Sequence, residues 1–542
     1  MVDNTFSASL SSELATLVSD LRMDGWAVLR TDLPRTASVA TVKSTILGHY
    51  NADPANTKAV FIVGHLAVPY SGNQAPDGHS EHSGAWPSDG YYGELNGSWT
   101  DNSVNNPNTQ RAANANVPGD GKFDQSDFPS PLELQVGRVD FFDMPAFSLN
   151  ETELTRNYLN KLHNYKIKQW APQQRGLVYD NLQWVSNPLA ASAWRSIPAL
   201  VSHAQTTAAA HLASEYPPLV HNQSYLWTYF SGGGQQATVN GVLTYNGAAR
   251  CGTTETWASS VSSGGVFNMS LGSYFGDWDN KNNFLRAPLA TGQVLTNCWA
   301  GLPSWNFHHM GMGANIGYST LVSMNNTGLY APVNDGWQPT LGRVHMGLMG
   351  DPSLRQKMIS PPSGLSVSNS GGYASLTWGP SSEPVDGYHI YTIDGSTGAI
   401  TRITTSPVTG TSHVSTTAPY VPGREYMVRA VKLTVEPCGS FHNLSLGVSV
   451  VASGSATDCN GTAGGSALPG TPCNDGNPCT VNDAWNASCQ CVGTLVQLTA
   501  TITAGGPTTF CAGGSVVLSA NTGTGLTYQW RRNGAKISGA TA

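Results

Sequence analysis

The stretch "KAVFIVGHLAVPY" (Lys58–Tyr70) decides the fold class. Its first half is an apolar run with little alternation, which is typical of a strand buried on both faces of a sheet. Two amphipathic helical patterns, 8–24 and 36–51, precede it, and "WAVLRTDL" (26–33) between them predicts a strand. The order helix, strand, helix, strand indicates a mostly parallel sheet flanked by helices. The opening "MVD" fits the tail of a first strand, and we expect that strand to be truncated.

The same pattern of helices and strands continues to about residue 360. A loop-rich insertion is predicted at 71–131, followed by a strand at 132–142, a helix at 150–170, and strands at 175–182, 224–234 and 265–271. The prediction is therefore one α/β domain over residues 1–360 that carries a long insertion.

A different sequence pattern begins at residue 361: short predicted strands of alternating apolar and polar residues, separated by Gly, Ser and Pro. Residues 361–453, with Trp378 and the runs "GYHIYTI" and "REYMVRAVKL", resemble a fibronectin type III sandwich. Residues 454–494 are a cysteine-rich segment that predicts disulfides, and 495–542 resemble the first half of an immunoglobulin-like domain around Trp530.

Composition limits the classes of partner and compartment. Charged residues make up 11% of the 542 residues, the net charge is −7, and no basic stripe is present, so nucleic acid is not an expected partner. No apolar run is long enough to predict a membrane span. Seven of the nine cysteines lie after residue 437, which indicates an oxidising, extracellular location. Residues 1–30 hold no signal peptide, so we expect a fragment of a secreted or cell-surface protein.

Metal ligands are one candidate chemistry of the insertion. Seven side chains are of the right type: Asp77, His79, His82, Asp89, Asp120, Asp124 and Asp127. The spacing matches neither a zinc signature nor an EF-hand loop. No cofactor is required by the pattern, which leaves open a structural calcium or zinc ion, or a loop that simply bonds to itself.

A nucleophile is the second candidate chemistry. Ser273 follows the apolar run "GVFNMSL" (265–271), a place where α/β proteins carry reactive groups. A serine nucleophile needs a base within hydrogen-bond reach, and His65, His308 and His309 are the predicted candidates, with Asp277 as the supporting acid. The alternative is that Ser273 is a small residue in a tight turn.

Four short motifs, in this order, resemble the gingipain-type cysteine peptidases of the caspase-like clan. They are "AVFIVGHLAVPY" (59–70), "SDGYYGELNG" (88–97), "VGRVDFF" (136–142) and "GLMGDPSLR" (347–355). The resemblance implies a caspase-like α/β peptidase fold, often followed by immunoglobulin-like modules and exported by bacteria. The tail modules also resemble those of Bacteroidetes surface proteins.

In that family a catalytic His-Gly follows one strand and a catalytic Cys follows the next. Alignment places Gly232-Gly233 at the His-Gly position and Ser273 at the cysteine, anchored on Gly276-Asp277. The resemblance therefore implies a peptidase scaffold whose Cys/His dyad is missing, and the first hypothesis is a catalytically degenerate peptidase-like protein.

Two alternatives remain at this stage. One is a repurposed serine hydrolase centred on Ser273. The other is a non-catalytic adhesin that presents an aromatic-rich loop to a protein, peptide or glycan, with Trp86, Tyr91, Tyr92 and Trp99 as contacts. Substrate, partner and oligomeric state are not predicted.

Overall fold

The computed structural model describes residues 1–183, 189–209, 215–239, 242–299, 305–326, 343–454, 458–462, 466–486, 488–496, 499–523 and 525–541. The chain divides into two compact units, Met1–Ser453 and Gly454–Ala542. The first unit holds both the α/β part and the sandwich that follows it.

Seven α-helices lie within the described residues of the first unit: α1 Ser11–Met23, α2 Val39–Ala52, α3 Glu151–Lys166, α4 Ala191–Val201, α5 Tyr216–Val220, α6 Thr254–Ser260 and α7 Ile316–Met324. The strands of its α/β part are β1 Val2–Asp3, β2 Asp32–Leu33, β3 Ala59–Val63, β4 Tyr70–Gln74, β5 Gly84–Pro87, β6 Gln135–Val139, β7 Gly176–Asp180, β8 Thr206–Ala209, β9 Tyr225–Ser231, β10 Gly234–Val239, β11 Val242–Ala248, β12 Gly252–Thr253, β13 Gly265–Leu271, β14 Thr296–Trp299 and β15 Gly347–Gly350.

Ten of these strands form one sheet in the order β2-β1-β3-β6-β15-β14-β13-β9-β7-β8. Every pairing in it is parallel except β14 with β15, which is antiparallel. The five strands on one side of that pairing therefore run opposite to the five on the other side. As a result, the carboxyl ends of β3 and β6 lie along one edge of the sheet, meaning the edge formed by one set of strand ends. The carboxyl ends of β13, β9 and β14 lie along the opposite edge.

The predicted helices form where the apolar periodicity placed them. In α3, Asn150 accepts a hydrogen bond from the Glu153 N–H while the Glu153 carboxylate accepts one from the Asn150 N–H, which is a capping box. The predicted strand at 26–33 is much shorter than expected, because only Asp32 and Leu33 find partners, in the two residues of β1.

A β-sandwich follows the α/β part within the same unit. Its strands are β16 Ser363–Ser370, β17 Tyr373–Gly379, β18 Gly387–Ile393, β19 Ile400–Arg402, β20 Ser412–Pro419, β21 Glu425–Glu436 and β22 Gly439–Val451. They form a three-stranded sheet, β16-β17-β20, and a four-stranded sheet, β19-β18-β21-β22. The Asp24 carboxylate, after α1, accepts hydrogen bonds from Arg355 and from Arg429 in β21, which fastens the sandwich to the first helix.

The second unit contains short two-stranded ladders, β23 Thr480–Trp485 with β24 Cys491–Leu495, β25 Ile502–Ala504 with β26 Leu518–Ala520, and β27 Arg531–Arg532 with β28 Ala535–Lys536. Two disulfides, Cys459–Cys489 and Cys473–Cys491, link its cysteine-rich part. Parts of the predicted 454–494 and 495–542 modules lie outside the described residues.

The α/β fold with a mostly parallel sheet flanked by helices, followed by a β-sandwich, is the fold class that the sequence predicts, and it is confirmed. None of the helices in the described ranges has the length and apolarity needed to cross a bilayer.

Candidate active site

Ser273 lies two residues beyond the carboxyl end of β13, a buried strand between β9 and β14. Tyr274, the next residue, has φ of 73°, in the left-handed region that non-glycine residues rarely adopt. The chain therefore turns sharply at the serine, and such backbone strain is common at functional sites.

A histidine of the insertion reaches this serine. His79 Nε2 lies 2.8 Å from Ser273 Oγ, although the two residues are 194 positions apart in sequence. The other ring nitrogen, Nδ1, lies 3.4 Å from Glu81 Oε1. The His79 and Glu81 side chains are 42% and 56% exposed, so the pair is open to solvent. With the Nδ1 proton directed at Glu81, Nε2 is free to accept the serine proton.

The insertion reaches the β13 edge because it crosses the sheet. The buried Arg138 of β6 donates to the carbonyls of Leu66 and Ala67 and forms a bidentate ion pair with Asp89. Farther on, Trp86 of β5 stacks on Trp299, the last residue of β14, with ring centroids 5.6 Å apart. The loop that holds His79 therefore lies at the carboxyl edge of β13, not at that of β3.

Gly232 and Gly234 lie next to the end of β13 and Ser273. A Cβ at Gly232 would lie 2.5 Å from the Ala249 oxygen and 3.1 Å from Cys251 Sγ, so this position has no room for a side chain. A Cβ at Gly234 would lie 2.1 Å from the Ser273 oxygen, which shows how closely that backbone passes the serine. A Cβ at Gly233 would meet nothing within 4 Å. Gly232, where the sequence resemblance predicts the place of an imidazole, therefore has no room for a side chain.

Asp277, predicted as a supporting acid, is fully buried but does not contact the histidine. Its Oδ1 accepts hydrogen bonds from Arg111 Nη1 (2.6 Å) and Asn114 Nδ2 (3.0 Å), both from the insertion. Arg111 also reaches Asp279. Burial raises the pKa of Asp277 to about 6, while the Arg111 charge acts in the opposite direction. Asp277 therefore anchors the insertion rather than assisting a base.

His65, predicted as a candidate base for Ser273, lies at the opposite edge of the sheet because β3 and β13 run in opposite directions. Its Nδ1 lies 2.8 Å from Asp140 Oδ2, after β6, and its ring stacks on Phe142. His65 is therefore part of a separate pair at the ends of β3 and β6.

His308 and His309 also lie away from the serine. They begin a short 3₁₀ helix, His308–Met312, that packs on α4 and on β22 of the sandwich. Their rings stack on each other, and the His309 ring packs edge-on against Tyr318. Neither is the partner of Ser273, and the structure assigns that place to His79.

The predicted metal ligands are spread over separate contacts. His82 and Asp77 pair with each other, Asp89 pairs with Arg138, and Asp124 accepts from the backbone N–H groups of residues 102–104. Asp120 accepts from the Val117 and Lys122 N–H groups, and Asp127 from the Phe128 N–H. Across the described ranges, no three His, Cys, Asp or Glu side chains converge in a metal-binding group.

The aromatic side chains expected to form a binding platform are mostly internal. Trp86, Tyr91 and Tyr92 are buried, and Trp99 is partly buried against Tyr91 and Phe123. They pack the insertion against the sheet, so these four residues do not form an exposed platform.

The sequence pattern singled out the loop of His79, but as a source of metal ligands. The usable signal was the run of Asp77, His79, Glu81 and His82, since a base with a nearby acid also suits nucleophilic catalysis. Because His79 and Ser273 are 194 positions apart, the sequence gave no indication that this loop contacts Ser273.

Comparison with solved structures found several matching chains. The Arg-specific cysteine proteinase gingipain R (RgpB) aligns with 82% of this chain and 96% of its own, at 10% identity and a TM-score of 0.44. The complex of Porphyromonas gingivalis RgpB pro- and mature domains aligns with 82% of this chain and 98% of its own, at 11% identity and a TM-score of 0.46. An Fn3-like protein from Clostridium thermocellum aligns with 16% of this chain and 92% of its own, at 24% identity and a TM-score of 0.12. Neither a family model nor a curated protein matches the chain.

Proposed function

We propose that this protein is a secreted, gingipain-like hydrolase that performs acyl transfer through a serine nucleophile. The observation that carries the proposal is the 2.8 Å contact between His79 Nε2 and Ser273 Oγ. A serine hydroxyl becomes nucleophilic only when a base can take its proton, and this contact lies within the 2.6–3.2 Å reach of general-base catalysis.

The reaction follows from the positions of the groups. Ser273 Oγ attacks a peptide or ester carbonyl while His79 Nε2 accepts its proton, and the resulting imidazolium then protonates the leaving amine or alcohol. Water, deprotonated by His79, hydrolyses the acyl-serine. Glu81 lies near Nδ1 and stabilises the imidazolium. This carboxylate is exposed, so solvent weakens its effect.

An oxyanion donor is needed beside the nucleophile. Gly233 lies between two residues that contact the β13 end: Gly232 N–H donates to Leu271 O, and Gly234 packs against Ser273. None of the hydrogen bonds found among the described residues uses the Gly233 N–H. Gly233 is therefore our candidate donor, and the open space at its Cα leaves room for substrate.

A separate observation supports the proposed location. Two disulfides cross-link the second unit, which is typical of proteins that fold in an oxidising compartment. This supports a secreted or surface-exposed hydrolase.

The test uses a fluorophosphonate probe, which reacts with activated serines, followed by intact-mass and peptide mass spectrometry. We expect one adduct at Ser273, and its loss in Ser273→Ala and in His79→Gln. An adduct that persists in Ser273→Ala, or a folded wild-type protein that does not react, would overturn the proposal and favour a catalytically degenerate scaffold.

A further inference from the structure

We propose that Asp77 is a positioning residue that holds the general base and the nucleophile of this site together. The inference rests on the proposed function, and it concerns a residue that touches neither the Ser273 hydroxyl nor the His79 ring. Its basis is a set of three hydrogen bonds to one buried carboxylate.

The Asp77 carboxylate bridges the two loops that form the site. Its Oδ2 accepts from the Tyr274 backbone N–H at 2.8 Å and from His82 Nδ1 at 2.9 Å. Its Oδ1 accepts from the His79 backbone N–H at 3.3 Å. The side chain is 2% exposed, so water does not compete for these contacts. One carboxylate thus fixes the residue after the nucleophile and the backbone of the base.

The bond to Tyr274 stabilises an unfavourable conformation. A left-handed backbone is unfavourable for a non-glycine residue, and Tyr274 adopts it with φ of 73°. The hydrogen bond that the Tyr274 N–H donates to the buried Asp77 carboxylate offsets that cost. Without the bond, the chain at Ser273 is free to relax.

His82 also holds the Asp77 carboxylate in place. Its Nε2 lies 2.9 Å from the Tyr245 hydroxyl while Nδ1 faces Asp77, so the proton belongs on Nδ1 and the hydroxyl donates to Nε2. The His82 ring packs edge-on against Tyr274, with centroids 3.7 Å apart, and Tyr274 stacks on Tyr245. The mutual contacts of His82, Tyr245 and Tyr274 restrict where Asp77 can move.

Positioning of this kind has a large effect on rate. A displacement of about 1 Å between a nucleophile and its base can lower the rate about 100-fold. Asp77 is therefore expected to control the reactivity of Ser273 even though it takes no proton in the reaction.

The experiment measures the second-order rate constant of fluorophosphonate labelling at Ser273 in the full chain. We expect Asp77→Ala to lower it about 100-fold and Asp77→Asn, which keeps the side-chain shape, by at least about tenfold, since one amide cannot accept from three donors. Asp120→Asn is the matched control in the same insertion, because Asp120 contacts only its own loop, through the Val117 and Lys122 N–H groups and the Lys122 ammonium, and it should label at the wild-type rate.

Chemical rescue separates positioning from loss of structure. Formate can occupy the space left in Asp77→Ala, and we expect it to restore labelling at least about fivefold while leaving wild type and His79→Gln unchanged. If Asp77→Ala does not fold, a crystal structure of Asp77→Asn gives the answer. In that structure His79 Nε2 and Ser273 Oγ should be farther apart than 3.5 Å, beyond hydrogen-bond range.

The outcomes distinguish the two proposals. Wild-type labelling that depends on Ser273 and His79, together with unchanged rates in both Asp77 variants, would overturn this inference and leave the hydrolase proposal standing. An unreactive wild type would overturn the hydrolase proposal, and this inference with it. An unchanged His79–Ser273 distance in Asp77→Asn would also reject the positioning role.

Discussion

His79 Nε2 and Ser273 Oγ lie 2.8 Å apart, at the carboxyl edge of the second half of the sheet, although the histidine belongs to an insertion that follows a strand of the first half. The position where the gingipain-type alignment expects an imidazole is Gly232, which has no space for a side chain. The imidazole that contacts Ser273 belongs instead to the insertion after β3.

Replacement of His79 should separate reactivity from stability. We expect His79→Gln to lower the rate of fluorophosphonate labelling about 10²–10⁴-fold, because a serine without a base is a weak nucleophile. The melting temperature should change little, since the side chain is 42% exposed. His308→Gln is the matched control and should label normally. A normal rate in His79→Gln would rule out its role as base.

Substitution of the nucleophile by a thiol should keep the site reactive. We expect the thiol of Ser273→Cys to alkylate with iodoacetamide faster at pH 7 than the exposed Cys438, because a neighbouring imidazole favours the thiolate. The double variant Ser273→Cys/His79→Gln should lose this advantage. Measurement of residue-specific alkylation rates by mass spectrometry checks both, and equal rates at the two cysteines would contradict the prediction.

Gly232 and Gly233 should respond differently to a methyl group. A Cβ at Gly232 would lie 2.5 Å from a backbone oxygen, so Gly232→Ala should lower the free energy of unfolding by about 1–3 kcal/mol. Gly233→Ala places its methyl in open space and should change the unfolding free energy by less than about 1 kcal/mol. Urea unfolding of the two variants makes the comparison. Equal changes in the free energy of unfolding would show that the close contact at Gly232 does not lower stability.

Asp277 should make stability depend on pH. Burial raises its folded-state pKa to about 6, above the unfolded value, so the folded protein binds more protons between about pH 4 and 6. The contribution of this residue is therefore most favourable at low pH and declines as pH rises through that window. Asp277→Asn should remove this slope, and the difference in unfolding free energy between variant and wild type, measured by urea unfolding at several pH values, reports it. A difference independent of pH would contradict the raised pKa.

The apolar patterns fixed the types of element, because burial on one helix face or on both faces of a strand leaves a local signature. These patterns therefore predicted α1, α2, α3, β3, β9 and β13, and the sandwich strands after residue 361. The strand predicted at 26–33 is shorter in the structure, since strand length depends on the pairing partner, and β1 offers two residues.

The sequence by itself determined the fold class and singled out both the loop that holds His79 and the serine after β13. Only the tertiary structure decided which histidine meets Ser273. The antiparallel pairing of β14 with β15 moves His65 to the far edge of the sheet, and the contacts of Arg111 and Asp77 hold the insertion against the near one. Strand direction and long-range hydrogen bonds leave no periodic trace in a single chain, because each depends on residues far apart in sequence.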